Sequence, residues 1–326
     1  MVPVIKQMKV VRPESPELIQ RGLQCLLGGP AAANGAAVSP LLQRRIEAFR
    51  HYGQLQHVDL HRLVLTVSED AILGACLWVA NPGKVASLYI TDPREYPQAI
   101  AALPLCIEGA ARDAGAAGLC LVQAIVEEQD HLSAQAYRNG GCEYLATLLY
   151  LERSDPWLSP RPVFPSGVSL ETYSAENHAQ FCRAIEESYV GALDCPRLTG
   201  LRSLEDVVRG HKAVGRFREN LWFLLVCDRK PVGVLLLAEV EAREALELVY
   251  LGLAREMRGR GLGTALMQLA LRQLAAYSLR VCTVAVDAKN TPAMALYRKM
   301  RFRSKDSRVV YIKALHPAVA AAQPGS

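Results

Sequence analysis

Between residues 248 and 266 an apolar stretch, Leu248-Val249-Tyr250-Leu251-Gly252-Leu253, runs into Ala254-Arg255-Glu256-Met257-Arg258-Gly259-Arg260-Gly261-Leu262-Gly263-Thr264-Ala265-Leu266. Three glycines alternate just where a strand-like segment gives way to a helix-like one. Glycine tolerates positive φ and lets an anion approach the backbone. A helix start offers unpaired N–H groups at the positive end of its dipole. Arg255, Arg258 and Arg260 add cationic charge around the loop. The chemistry this combination suits is the holding of a phosphate or pyrophosphate. A Walker loop needs a lysine after its last glycine, and none stands here. A dinucleotide fingerprint starting at Gly259 would need Gly or Ala at 264, where the chain has Thr264. The pattern that fits is Arg-x-x-Gly-x-Gly, formed by Arg258, Gly261 and Gly263.

Three more residues could act on a ligand held there. Tyr297 recurs with Ala293, Leu296 and Met300 at helical spacing, so it is either a packed aromatic or a proton donor facing inward. Asn290 opens the same segment, Asn290-Thr291-Pro292-Ala293-Met294-Ala295-Leu296-Tyr297, and can bond local backbone or reach a ligand. Thr291 is the expected N-cap, with Pro292 at the first helical position. Glu247 lies in the strand before the loop, where alternation puts it on one face with Val249, Leu251 and Leu253. A carboxylate there faces a wet cleft or suffers desolvation, and partial burial raises its pKa toward what a base near neutral pH needs. The plainer reading is a strand-edge glutamate in company with Glu239, Glu241 and Glu244.

No metal is expected. Histidines 51, 57, 61, 131, 178, 211 and 316 show no ligand spacing, and there is neither Cys-x-x-Cys nor His-Glu-x-x-His. Most of the nine cysteines sit inside apolar runs and read as reduced core residues. A net charge of +5 with no clustered basic stripe argues against nucleic acid as a partner. The apolar runs, such as Leu221 to Cys227, are strand-sized and far from a membrane span. Met1-Val2-Pro3-Val4-Ile5-Lys6 lacks the apolar core of a leader, so the expected location is cytoplasmic.

The elements that must position these residues fall into two halves. At 326 residues with 51% hydrophobic composition the chain can build two cores. Pro156, Pro160, Pro162 and Pro165 mark residues 154–167 as a stiff linker, and residues 316–326 read as a flexible tail. In the second half Leu221 to Val226, Val232 to Ala238 and Leu246 to Leu253 read as strands. A helix follows from Leu262, then a strand over Val281 to Val286, a helix to Met300, and a strand over Ser307 to Ile312. The first half repeats the plan with Ile72 to Val79, Val85 to Ile90, Ala136-Tyr137-Arg138 and Tyr144 to Leu151. A repeat this long is domain-sized and points to duplication of one α+β unit. After Ile90, however, comes Thr91-Asp92-Pro93-Arg94-Glu95-Tyr96-Pro97, with no glycine, two prolines that cannot donate amides, and two carboxylates that repel an anion.

On the Arg258-x-x-Gly261-x-Gly263 loop, the Asn290-to-Tyr297 segment and the closing Phe302, the second half resembles the Gcn5-related N-acetyltransferases (GNAT). The duplicated layout, with Glu247 on the strand before the loop, resembles the mycothiol synthase branch of that family. The resemblance implies an α+β fold in two tandem GNAT copies, each a mixed, mostly antiparallel sheet flanked by helices. It implies a degenerate, non-catalytic copy over residues 8–153 and a catalytic one over 168–315. Acetyl-CoA would be held by Gly252, Leu253, Ala254, Arg258, Gly259, Arg260, Gly261, Leu262, Gly263, Thr264 and Asn290. Glu247 would take a proton from a primary amine of a small molecule or peptide. The Leu253 N–H would polarise the thioester, and Tyr297 would protonate the leaving thiolate. The alternative is a non-catalytic protein that senses or scaffolds acyl-CoA. Arg301 departs from the pattern, which has Gly before Phe302.

Overall fold

The computed structural model describes residues 7–154 and 160–315. The first half of the chain forms β1 (Lys9–Val11), α1 (Pro16–Ala33), α2 (Pro40–Leu55), β2 (Leu63–Ser68), β3 (Ala71–Asn81), β4 (Val85–Ile90), α3 (Leu103–Ala116), β5 (Leu121–Glu127), α4 (His131–Asn139) and β6 (Glu143–Arg153). The second forms β7 (Val168–Thr172), α5 (His178–Tyr189), α6 (Leu204–Lys212), β8 (Trp222–Cys227), β9 (Lys230–Val240), β10 (Ala245–Leu253), α7 (Leu262–Ala276), β11 (Val281–Asp287), α8 (Thr291–Lys299) and β12 (Arg303–Ala314). Among the described linker residues, 154 and 160–167 carry no helix or strand. Residues 155–159 of the expected linker and the whole expected tail, 316–326, lie outside the described residues. No helix among the described residues is long and apolar enough to cross a membrane.

The chain divides into two units, one running to Leu145 and taken up again from Val309, the other Ala146–Arg308. This corrects the expected boundaries of 8–153 and 168–315. The second unit orders its strands β6-β11-β10-β9-β8-β7, with β6 antiparallel to β11 from Cys282↔Arg153 to Asp287↔Leu148. The first orders β1-β2-β3-β4-β5 and sets β12 beside β5, where Leu315 N–H bonds Cys120 C=O. Each sheet is thus completed by a strand from the other half of the sequence. Alternation marks Tyr144 to Leu151 as a strand, but nothing local to a strand names its partner.

Side-chain periodicity explains the layers of the second unit. Leu262, Leu266, Ala270 and Leu274 of α7 pack with Leu246, Leu248, Val284 and Val286 on one face of the sheet. Phe181 and Ile185 of α5 pack with Trp222, Leu224 and Leu236 on the other. One irregularity matters for the site. Register passes from Leu248↔Leu237 straight to Tyr250↔Leu236, so Val249 is an extra residue in β10. It inverts the alternation: Leu251 and Leu253 pack with Leu246 and Leu248, whereas Val249 and Tyr250 pack in the α5 cluster. Glu247, between Leu246 and Leu248, therefore faces as Val249 does, and not as Leu251 and Leu253 do. The expectation that all four share a face is corrected by this bulge.

The duplication is visible at a constant offset of 160 residues. Val85 pairs in parallel with Leu121, and Ala245 with Val281. Asp130 caps α4 by accepting from Ser133 N–H, as Asn290 caps α8 by accepting from Ala293 N–H. Asn290, not Thr291, is therefore the cap. Gly141 and Arg301 both adopt positive φ, 84° and 61°. A β-carbon costs about 1 kcal/mol or more in that conformation. Arg301→Gly is expected to stabilise the protein by about 1 kcal/mol. The check is a higher urea midpoint with unchanged slope.

Candidate active site

β10 pairs with β11 only from Ala245↔Val281 to Leu248↔Val284. Beyond the bulge the two strands part, while β10 stays bonded to β9 as far as Leu253↔Gly233. The wedge between them is a cleft of about 450 Å³. Its walls are Leu248–Leu253 of β10, Val284–Val286 of β11, the cap Asn290 with Pro292, Ala293, Leu296 and Tyr297 of α8, the glycine loop, and Ser188 near the end of α5 with residues 191–194 beyond it.

The edge of β10 in this wedge has a defined polarity. Ala254 N–H donates to Val232 C=O at 2.9 Å. Antiparallel pairing alternates, so the N–H groups of Leu253 and Leu251 point away from β9, toward the open edge. Ala254, expected among the residues that hold acetyl-CoA, therefore has no free amide to offer a ligand. Gly252 has no room for a side chain, since a β-carbon there would meet Ser188 and the Tyr250 ring. Ser188 Oγ and Tyr250 Oη hydrogen-bond at 2.7 Å behind it.

A 3-10 turn, Arg255–Met257, leads from β10 into the loop, where Gly259 and Gly261 take φ of 75° and 81°. Nothing lies within 4 Å of where a β-carbon would stand on either. Conformation, not crowding, is what asks for glycine at these two positions, and the space over the loop is open. No side chain caps α7, so its first amides keep no side-chain partner. Arg258 is spent otherwise than on charge. Its guanidinium donates to the carbonyls of Leu253 (3.0 Å), Gly191 (3.0 Å) and Ser188 (2.7 Å), bracing the loop against the end of α5 and the segment that follows it. Arg260 is exposed and Leu262 is buried in the core. Neither side chain lines the cleft, although Gly252, Leu253, Arg258, Gly259, Gly261, Gly263, Thr264, Asn290 and Tyr297 do.

Tyr297 is 6% exposed, and its hydroxyl has no hydrogen-bond partner among the described residues. Burial pushes its pKa up, with the Asp194 carboxylate adding to the effect. Asp194, missed in the sequence, lines the cleft; desolvation and then the neighbouring Asp287 carboxylate raise its pKa. Neither Asp194 nor Ser188 sits in a motif that could have flagged it. Tyr250 could have been noticed as the one phenol in β10, whose other residues are aliphatic or glycine apart from Glu247. Glu247 is half-buried, with its pKa raised by desolvation against a smaller opposing effect of Arg243. It stands one residue outside the cleft wall that begins at Leu248.

The first unit shows the same framework filled in. Tyr137 Oη donates to Leu88 C=O at 3.1 Å, tying the tyrosine to β4. After β4, Arg94 bonds Asp92 (2.9 Å) and Glu127 (2.8 Å) and lies 3.4 Å from Asp130. At the 160-residue offset Asp92 and Arg94 correspond to Gly252 and Ala254, so these ion pairs fill the stretch that corresponds to the end of β10, just before the glycine loop.

Residues 171–302 match the model of the acetyltransferase (GNAT) family. A mycothiol acetyltransferase of Clavibacter michiganensis subsp. michiganensis is 28% identical over 274 residues, 77% of this chain and 80% of that one. The chain spans 24–48% of the length of other mycothiol acetyltransferases that match it at 32–43% identity. Among solved structures, a GCN5-related N-acetyltransferase from Sphaerobacter thermophilus superposes with a TM-score of 0.58 at 17% identity, covering 96% of this chain and 98% of that one. A tandem GNAT protein from the clavulanic acid biosynthesis pathway gives 0.50 at 16% identity, covering 95% and 99%. At such identities these two report the fold.

Proposed function

We propose that this chain, whose residues 171–302 match the acetyltransferase (GNAT) family model, transfers an acetyl group from acetyl-CoA to a primary amine by direct attack within the second unit. The observation that carries the reading is the wedge between β10 and β11, with uncapped helix amides at one end and the unpaired Tyr297 hydroxyl inside. The amides around Gly259 to Thr264 would hold the pyrophosphate, and the open edge of β10 at Leu251 and Leu253 would pair with the pantetheine as an added strand. The Leu253 N–H would polarise the thioester carbonyl. Asn290 is engaged in capping α8, so its part is to hold the start of that helix.

The acceptor, a small molecule or a peptide end, is an ammonium ion at neutral pH and must lose a proton before it attacks. Glu247, through solvent at the cleft end, is the proposed base. The named activity of the relatives, mycothiol acetylation, favours small thiol-bearing amines in the first panel of acceptors. Thiol release from acetyl-CoA across amines, polyamines, amino acids and peptides tests the reading. Tight acetyl-CoA binding with no release for any acceptor would favour a sensor or scaffold.

Glu247→Gln is expected to move the rise of kcat/KM to higher pH, toward the amine pKa of about 10.4. A lowered rate with the same pH profile would assign the base to Asp194 instead. The substitution also has a stability signature. The Glu247 pKa is raised on folding, so its favourable contribution is full below the ordinary carboxyl range and is lost as pH climbs through the raised value. Glu247→Gln should therefore melt higher than the parent at neutral pH, with the difference fading in acid.

A further inference from the structure

Apart from the cleft, three side chains of different chemistry converge in the second unit. His178 and Cys182 stand four residues apart on α5 and so share a face. Glu205 lies in the first turn of α6, next to the Ser203 cap. His178 Nε2 is 2.9 Å from Glu205 Oε1 and 3.5 Å from Cys182 Sγ, and Sγ is 3.8 Å from the same oxygen. A tetrahedral zinc ion with ligand bonds of about 2.0–2.3 Å separates its nitrogen, sulfur and oxygen ligands by roughly 3.3–3.6 Å. The observed triangle needs shifts of a few tenths of an ångström to match it.

We propose that His178, Cys182 and Glu205 bind a zinc ion, with the fourth position open to water. Imidazole, thiolate and carboxylate together suit zinc or cobalt better than a hard cation. With the thiol deprotonated the set carries two negative charges, enough to neutralise a divalent ion. The thiol proton leaves to solvent as the metal–sulfur bond forms. Orientation is supplied from behind. Tyr173 Oη lies 3.0 Å from His178 Nδ1 and accepts from Lys212 Nζ at 2.6 Å, leaving it able to accept the Nδ1 proton when Nε2 ligates. The Glu205 side chain is 65% exposed, so an ion can enter without opening the core. The absence of metal expected from the sequence rested on paired histidines and Cys-x-x-Cys. A His-x-x-x-Cys pair completed by a glutamate 23 residues on belongs to neither pattern.

The bound ion would tie the start of α5 to the start of α6 and stabilise the unit by mass action. The test uses the full chain stripped with chelator and titrated with Co²⁺, then Zn²⁺. The expected result is one equivalent of cobalt with a thiolate-to-metal charge-transfer band and tetrahedral visible bands, displaced by zinc, and a melting temperature that rises with zinc. Cys182→Ser should abolish the charge-transfer band, while Cys227→Ser should keep it. Glu205→Gln, at an exposed position, should weaken cobalt binding at least tenfold. No band in the parent, a band that survives Cys182→Ser, or unchanged affinity in Glu205→Gln overturns the site. Should Cys182→Ser not fold, Glu205→Gln decides alone. None of these readouts depends on acetyl transfer.

Discussion

Tyr297→Phe is expected to lower kcat by about 10²–10⁴ while leaving acetyl-CoA affinity nearly unchanged. The departing CoA thiolate belongs to a thiol of pKa about 8.5, against about 10 for an ordinary tyrosine. Proton donation is thus uphill by roughly 2 kcal/mol in water, and burial of Tyr297 makes its proton harder to lose. The same dry wall acts on a thiolate formed beside it, raising its appetite for a proton too. What counts is the difference between the two, and that stays small beside an enzymatic barrier. The substitution is clean because the hydroxyl has no partner among the described residues, so removing it breaks no described hydrogen bond. The parallel change in the first unit gives the contrast. Tyr137→Phe removes the bond to Leu88 and should cost about 1 kcal/mol of stability with kcat untouched. Steady-state rates, acetyl-CoA calorimetry and thermal melts on the two variants decide the matter. Full kcat in Tyr297→Phe would make Tyr297 a packing residue, with water protonating the thiolate.

Gly261→Asp is expected to weaken acetyl-CoA binding by roughly a thousandfold. The position caps α7 at φ 81° with open space above it. Aspartate tolerates that conformation better than most residues, so the fold should survive. Its carboxylate, however, would stand among the amides meant for phosphate. Two like charges about 4 Å apart near a protein surface repel by about 4 kcal/mol, which is roughly three powers of ten in affinity. Gly261→Ala separates charge from strain: it carries the backbone penalty without the repulsion and should bind far better than the aspartate. Calorimetry with acetyl-CoA on both, alongside circular dichroism, is the measurement. Equal affinity of Gly261→Asp and the parent would remove the loop from the binding site.

The features legible in the sequence are those whose physics is local. Gly259 and Gly261 announce positive φ because side chains resist it. Leu262, Leu266, Ala270 and Leu274 announce a helix by spacing, and the loss of glycine after Ile90 announces a spoiled cradle. The resemblance to the acetyltransferases rested on such local marks, and so the α+β fold and the tyrosine and glycine loop of the cleft could be named. Tertiary structure decided what depends on partners. It exchanged β6 and β12 between the units, because a strand pattern specifies a face and not a neighbour. It placed one extra residue, Val249, in β10, which turned Leu251 and Leu253 away from the face of Glu247. It spent the Ala254 amide on Val232 and Arg258 on three carbonyls, two of them 67 and 70 residues away, and partners so distant leave no trace in spacing. It also brought Asp194 to Tyr297, and Glu205 to His178 and Cys182. Short-range preference was written along the chain, whereas the spending of each polar group was settled only when distant segments met.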